Sequence, residues 1–410
     1  MNVHQLNRTI DAESLMRAAM ALAADPATSR GALGRVVDQI LQLESSGSSL
    51  GLDSKCVDYA DSVLSDTFER GWQPAELVHV VTRRVDKTAV PMLEAMIGSH
   101  SRRTLALSSA PPEWRCQLRS LAIDPSTDLI RHRRTSRIHP RTFWTSLFRL
   151  LVQLRYMGSM TIIAPPPSRW VTGATKTTGQ RPDPKVLTKI RGLLAKAEST
   201  TFTEESDSLS AKAQELMTRY AIDSVVLDAT ESSKFDEHVV TRRIVVDNPY
   251  ADAKMQLMSS VAHSNGARTV RYRKLGLYSI TGLPIDLDLC ELLYTSLLVQ
   301  SAQALAHAGV DSATRSRGFR RAFLFGYAWR IGERLTEARA RADRAAGESY
   351  GPSLVPILAE RDRAVTSVFD DLFPDLVSST ISVSNRGGVA QGRLAAERAD
   401  LTGGRETIED

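Results

Sequence analysis

The sequence contains little cysteine, since Cys56, Cys116 and Cys290 are the only three in 410 residues. Their odd number and wide spacing argue against a disulfide framework and against a zinc site built from thiolates. Sparse cysteines of this kind are typical of a reducing compartment, so the composition predicts a cytoplasmic protein.

Long apolar runs are missing as well. The two most apolar stretches, residues 143–154 and 322–331, are short, and each contains an arginine. A membrane-spanning helix needs about 20 apolar residues, and no stretch has the pattern of a secretory signal. We therefore expect neither a membrane span nor a membrane partner.

The sequence also lacks a strong excess of one charge and most motifs that identify enzymes. It carries 52 Lys and Arg against 47 Asp and Glu, and a net charge of +5 is too small to indicate nucleic acid by itself. The patterns HExxH and GxxxxGK[ST] are absent, as is GxGxxG after a predicted strand. We expect no metal and no cofactor, and enzymatic activity stays an open question.

The N-terminal part has the pattern of consecutive helices. Apolar residues recur at intervals of three and four between residues 12 and 100, as in Leu33, Val37 and Ile40. This periodicity predicts a helical bundle over residues 1–160, and the end of that bundle is basic. Residues 161–184 are rich in Pro, Thr, Gly and Ser without periodicity, which predicts a linker.

The basic end of the bundle, residues 101–160, has eleven arginines, no lysine and three acidic residues. Aromatic residues are interleaved with the arginines, namely Trp114, Phe143, Trp144 and Phe148. Arginine beside aromatic rings suits base stacking and phosphate contact. The alternative is a solvated basic face on helices whose aromatic residues form the core.

The C-terminal part combines helices with a few strands. A helical hairpin is predicted over residues 185–228. An α+β domain follows over residues 229–346, where alternation predicts strands near 238–246, 267–273 and 277–281. Two long helices, from Pro284 and from about Ser316, are expected on one face of this small antiparallel sheet. Residues 347–410 are predicted as a helical extension and a polar tail, so the fold class is mainly α with a small α+β part.

Arginines crowd the start of the second long helix, at Arg315, Arg317, Arg320 and Arg321. The positive end of a helix dipole repels cations, so a compensating anion is expected there. A phosphate would meet free N–H groups and forked donors together, which makes these residues candidates for nucleic-acid binding. A solvated basic turn is the alternative.

Arg330 is the one charged residue in the apolar stretch 322–331. A buried arginine needs a carboxylate partner, because unpaired burial costs several kcal/mol. We expect a structural ion pair, with Glu333, Glu291 and Asp286 as candidate partners. Gly326 and Gly332 are expected to let a neighbouring backbone approach.

The hairpin carries a recognisable signature in residues 189–200 (KIRGLLAKAEST), Glu204-Glu205 and residues 212–217 (KAQELM). These residues resemble an uncharacterised bacterial and phage family, domain of unknown function 2786, and the N-terminal bundle is similar to actinobacterial members. The resemblance implies that a sheet-and-helix domain follows to about residue 345. The family lends no catalytic residue. Its polar motif positions can tie the two helices together or face a partner; they are Lys196, Glu198, Lys212 and Gln214.

Three function classes stay open at this point. The favoured interpretation is a cytosolic binding protein that is nucleic-acid-associated or regulatory, and salt-sensitive binding to polyanions would support it. A protein-interaction adaptor would show a hydrophobic patch shared with a partner chain. A hydrolase-like enzyme would gather His263, Asp286 and Asp288 in one cleft. The oligomeric state is not predicted.

Overall fold

The chain forms two compact units, Met1–Lys176 and Thr177–Asp410, and the boundary falls within the segment predicted as a linker. The structure is a computed structural model, which describes residues 12–24, 30–45, 52–170, 188–190, 192, 196, 235–308, 314, 316–350, 354–377 and 381–399. Most of the predicted hairpin, residues 185–228, therefore lies outside the described residues.

The described part of the first unit is helical. Its helices are α1 (Ala12–Ala24), α2 (Arg30–Ser45), α3 (Leu52–Glu69), α4 (Pro74–Arg84), α5 (Ala89–Arg103), α6 (Ala106–Ser109), α7 (Pro112–Ser120), α8 (Leu129–Thr135) and α9 (Pro140–Arg155). Local sequence sets their ends, as at α4, where Pro74 occupies the first turn and Glu76 accepts from the Gln73 backbone N–H at 3.0 Å. Helix α9 packs against α1, α2, α3 and α5, so it lies at the centre of the bundle.

Residues 161–170, predicted as the beginning of the linker, pack against the first unit. Both the backbone N–H and the hydroxyl of Ser168 donate to the Glu69 carboxylate, at 2.8 and 2.7 Å. The ring of Trp170 meets Trp114 edge to face at 5.1 Å. The part of the chain that packs on the helical bundle therefore extends beyond residue 160. Trp170 supplies the apolar surface for this packing, although the stretch as a whole is rich in Pro, Thr, Gly and Ser.

His100 on α5 is buried, with 2% of its surface exposed and its ring 4.9 Å from that of Phe68. Burial, with a smaller contribution from Arg103, lowers the pKa of this imidazole from 6.5 to about 4. The folded protein therefore holds His100 neutral at a pH where the unfolded chain protonates it.

Acid is expected to destabilise the first unit through this histidine. Between pH 6.5 and about 4 the unfolded state binds the proton and the folded state does not. The free energy of unfolding therefore falls as the pH falls, by about 1.4 kcal/mol per pH unit, and the effect is absent above pH 6.5. His100→Leu should remove this part of the slope in urea unfolding series at different pH. An equal slope in the variant and the wild type would contradict the assignment.

The second unit contains a three-stranded antiparallel sheet in the order β1-β3-β2. The strands are β1 (Val240–Val245), β2 (Arg268–Tyr272) and β3 (Leu277–Gly282), and α10 (Ala251–Ser264) connects β1 to β2. The predicted strands and the helix between them are confirmed. Val240 pairs with Gly282 and Arg268 with Thr281, so β3 is the central strand.

Four further α-helices follow the sheet, α11 (Pro284–His307), α12 (Arg317–Tyr350), α13 (Leu354–Leu372) and α14 (Arg386–Arg398). The two long helices, α11 and α12, begin where the sequence predicted them. One face of the sheet meets α10 and α11, since Tyr278 contacts Ser259 and Arg242 contacts Asp288. Helix α13 meets the opposite face, where Arg268 donates to Thr366 at 3.1 Å. Helix α13, which was predicted only as part of a helical extension, therefore covers a second face of the sheet that the sequence did not predict.

The last helix, α14, is docked along α12 rather than extended from the domain. It buries Gly388, Gly392 and Ala396 on one side. Gly326 of α12 lies against the Val389 backbone, which confirms that this glycine permits close approach. Small residues at intervals of four produce this contact, because they leave room for the facing helix.

Among the described helices, none is long and apolar enough to cross a membrane.

Candidate functional site

The four arginines at the start of α12 differ in their exposure and in their partners. Arg315 lies outside the described residues, Arg317 is exposed and Arg320 is half-buried. Arg321 contacts a carboxylate, since its Nε and Nη2 donate to one oxygen of Asp252 on α10 at 2.8 and 2.6 Å. Its guanidinium also lies 4.8 Å from the centre of the Phe325 ring. A carboxylate therefore compensates Arg321, and phosphate binding by the cluster stays a prediction.

Arg330 joins α12 to α14. Its guanidinium contacts Glu333 at 2.9 Å and also Glu397, and its side chain is 19% exposed. Glu333 was an expected partner. The other two expected partners, Glu291 and Asp286, bind different arginines, so those assignments are wrong.

The deeply buried ion pair belongs to Arg361 and Asp286. Arg361 on α13 donates to Asp286 in the first turn of α11, and both side chains are 2% exposed. Arg361 also donates to the Asn265 carbonyl at 3.2 Å, at the end of α10. This one side chain therefore ties three helices together. Sequence inspection missed it, because 75 residues separate the two charges.

The three residues considered for catalysis differ in their exposure and in their partners. His263 is exposed, Asp286 is bound by Arg361, and Asp288 accepts from Arg242 at 2.6 Å. Arg242 also binds Glu291, whose pKa is raised above its ordinary value by burial although Arg242 opposes the shift. Within the described residues, no group of three or more His, Cys, Asp or Glu is placed to hold a metal ion.

The two buried cysteines are poorly suited to act as nucleophiles. Burial raises the pKa of the Cys56 thiol to about 12 and that of Cys290 well above its ordinary value, which suppresses the reactive thiolate. Residues 47–51 (GSSLG) spell GxSxG but lie outside the described residues. That motif acts in a turn from a strand to a helix, whereas helices α2 and α3 flank this copy.

Of the four polar positions of the family signature, the structure describes one. Lys196 is helical and exposed. Glu198, Lys212 and Gln214 lie outside the described residues. Their role in joining the hairpin helices or in facing a partner stays a prediction.

In the arginine-rich segment 101–160, the interleaved aromatic side chains are buried, whereas most of the arginine side chains are exposed. The four interleaved aromatic side chains are core residues, each at most 4% exposed: Trp114, Phe143, Trp144 and Phe148. Arg133 lies with them, 4.9 Å from the Trp144 ring centre, and forms ion pairs with Glu44 and Asp53. These aromatic rings are therefore packing elements and are not accessible to bases.

Nine of the eleven arginines of this segment are exposed, and eight of them are Arg102, Arg103, Arg119, Arg131, Arg134, Arg137, Arg149 and Arg155. Arg141 is exposed as well and pairs with Asp38 at the surface. No acidic residue occurs in the sequence between Asp128 and Asp183. Helices α8 and α9 and their connection therefore contribute no acidic side chain, although Asp38 of α2 and Asp53 of α3 pair with Arg141 and Arg133.

The outer face of α9 is defined by four side chains, Arg141, Thr145, Arg149 and Tyr156. They follow one another at intervals of four, four and seven residues, which places them on one side of a helix. Tyr156, at the C-terminal cap, is 69% exposed. Among the described residues it is the most exposed Phe, Trp or Tyr. Sequence inspection did not single it out, although α9 periodicity places it opposite the buried stripe.

Comparisons with known proteins identify one segment. Residues 185–224, about a tenth of the chain, match the family described as "Protein of unknown function (DUF2786)". The match covers the predicted hairpin and ends before the sheet, so it is shorter than the expected resemblance to about residue 345. Searches of curated proteins and of solved structures find no match. Residues 185–224 of this chain are thus similar to the domain of unknown function 2786.

Proposed function

We propose that the protein is a nucleic-acid-associated binding protein that contacts phosphates through the arginines of α8 and α9. The observation that carries this proposal is the concentration of positive charge in one structural region. Residues 101–160 have a formal charge of +8, from eleven arginines and three acidic residues, whereas the whole chain has +5. The remaining residues together are therefore slightly acidic.

The placement of these charges supports phosphate contact. Arg131 and Arg134 are one turn apart on α8 and both are exposed, so they share one side of that helix. Arg137 follows in the connection to α9, and Arg149 lies further along α9. Arginine presents several forked donors that match phosphate geometry. Arg131, Arg134, Arg137 and Arg149 are exposed arginines, and exposed arginines are the side chains that a polyanion favours.

The start of α12 provides a second candidate surface in the other unit. Arg317 is exposed in the first turn, where the Ser316 hydroxyl accepts from the Phe319 N–H, and Arg320 is partly exposed. Arg321 is omitted, since Asp252 binds it. Two arginines are fewer than the α8 and α9 region offers, so we assign the main contact to the first unit.

Neutralising the exposed arginines is expected to weaken binding and to reduce its salt dependence. The variant Arg131→Gln, Arg134→Gln, Arg149→Gln removes three charges from the proposed surface. The slope of log affinity against log salt should flatten by about two to three units, because each lost phosphate contact contributes about 0.7 on single strands and about 0.9 on duplex. Fluorescence anisotropy with labelled DNA over a salt series measures this change.

A matched control removes the same charge elsewhere in the same unit. Arg83, Arg84 and Lys87 are exposed at the end of α4 and just after it. Their triple change to Gln should leave the slope within about half a unit of the wild type, which is less than one phosphate contact. The proposal fails if the wild type shows no salt-dependent binding, or if the two triple variants behave alike.

A further inference from the structure

We infer that the ligand of this surface is single-stranded nucleic acid, DNA or RNA, with a base stacked on Tyr156. The inference rests on the proposed function and adds the form of nucleic acid. The geometry that carries it is one accessible aromatic ring on the same side of α9 as the exposed side chains of Arg141 and Arg149.

Tyr156 is unusual in being uncovered. The other aromatic residues of segment 101–160 are all buried, whereas 69% of Tyr156 is exposed. Apolar ring surface of this extent in water is unfavourable, and a stacked base would cover it. Because every base has a flat face, such a contact tolerates any sequence.

The ring lies in line with the phosphate-binding side chains. Arg149 precedes Tyr156 by seven residues, two turns of α9, so both point from the same side of the helix. Arg155 is exposed next to Tyr156 and reaches Tyr59 at 3.2 Å. From Arg141 to Tyr156 the helix rises about 22 Å, which gives room for several nucleotides along the outer face.

This combination favours a single strand over a duplex. Single-strand binding proteins combine a basic track with aromatic rings on which successive bases stack. In a duplex the bases are stacked on one another, so a surface tyrosine gains contact only with the backbone. Duplex binding would therefore use the arginines of the outer face and leave Tyr156 without a role.

The test compares Tyr156→Ala with Tyr156→Phe in the full chain. Binding is measured by anisotropy with oligothymidylate and oligouridylate of about 20 nucleotides, and with a duplex of the same length. Tyr156→Ala should weaken binding to a single strand by about 5- to 150-fold, while Tyr156→Phe retains wild-type affinity. Duplex affinity and the salt slope should be unchanged in both variants, since neither alters a charge. The two single strands show whether DNA, RNA or both are bound.

Failure of this inference is distinct from failure of the proposed function. If Tyr156→Ala binds single strands as well as Tyr156→Phe does, or if the wild type prefers duplex, the stacking site is wrong. The arginine surface then still stands, provided that the Arg131, Arg134 and Arg149 variant loses salt-dependent binding. If the wild type binds none of the three probes, both proposals are overturned. Equal melting temperatures of the two variants exclude a folding defect as the cause.

Discussion

Replacement of Arg361 by alanine is expected to lower the free energy of unfolding of the second unit by about 3–5 kcal/mol. The guanidinium is the partner of Asp286, and each side chain is only 2% exposed. Without Arg361, the Asp286 charge stays buried and uncompensated, and the Asn265 carbonyl loses a donor. Chemical denaturation followed by circular dichroism measures the loss.

A neighbouring arginine provides the control for Arg361. Arg363 lies on the same helix, is exposed, and donates to the Ala359 carbonyl of its own helix. Arg363→Ala should change the unfolding free energy by no more than about 0.5 kcal/mol. The double variant Arg361→Met, Asp286→Leu should recover most of the loss, because it removes both charges together. Equal effects of Arg361→Ala and Arg363→Ala would contradict the buried ion pair.

Replacement of Gly392 by valine is expected to separate α14 from α12, at a cost of about 3 kcal/mol or more. A Cβ at Gly392 would lie 2.8 Å from the Phe323 carbonyl carbon and 2.9 Å from the Tyr327 nitrogen. Both obstacles are helix backbone, which cannot rotate away as a side chain can. The change should therefore expose Tyr327 and the apolar face of α12, which increased hydrogen exchange in residues 319–335 would report.

The adjacent glycines Gly387 and Gly388 make a sharp internal control for this packing. A Cβ at Gly387 would meet only Asn385 at 3.7 Å, whereas a Cβ at Gly388 would lie 2.7 Å from the Phe319 carbonyl oxygen. Gly387→Ala should be neutral or stabilise by up to about 1 kcal/mol through helix propensity. Gly388→Ala should destabilise by about 1–3 kcal/mol. Similar effects at the two positions would contradict the close approach of α14.

The secondary structure could be predicted because its signals are local. The alternation of residue types near 238–246 predicted β1. Pro284, followed by Asp286 in the first turn, predicted the start of α11. A helix or strand is encoded by the residues within it, and periodicity is read directly from the chain. The fold class therefore followed from the sequence, whereas the position of α13 on the second face of the sheet did not.

The ion pairs could not be predicted because their partners are distant in sequence. Arg321 and Asp252 are 69 residues apart, and Arg361 and Asp286 are 75 apart. In the sequence, Arg361 stands between Glu360 and Asp362, so it has the appearance of a solvated charged face. Arg330 was predicted to be the buried arginine instead, because its neighbours in the sequence are apolar. Apolar neighbours along the chain indicate a buried helix, but only packing decides which charge is enclosed.

In residues 101–160, too, the sequence showed the pattern of arginines and aromatic residues, but only packing decided which of them are buried. The sequence left two interpretations open, a stacking surface or a solvated basic face over an aromatic core. Burial of Trp144 and Phe148 favours the aromatic core, while Arg131 and Arg149 are exposed. The residue that suits stacking, Tyr156, lies outside the interleaved arginine and aromatic pattern. Its exposure depends on where α9 ends relative to the rest of the bundle.

The most direct test of nucleic-acid association is the absorbance ratio at 260 and 280 nm of the purified full-length chain, measured after elution at low salt and again after a wash at high salt. Phosphate contacts are weakened by salt, so we predict a raised ratio at low salt that falls to the value of pure protein at high salt. Nuclease treatment should lower the low-salt ratio in the same way. A ratio equal to that of pure protein at both salt concentrations, together with no binding to added single strands, would contradict the account.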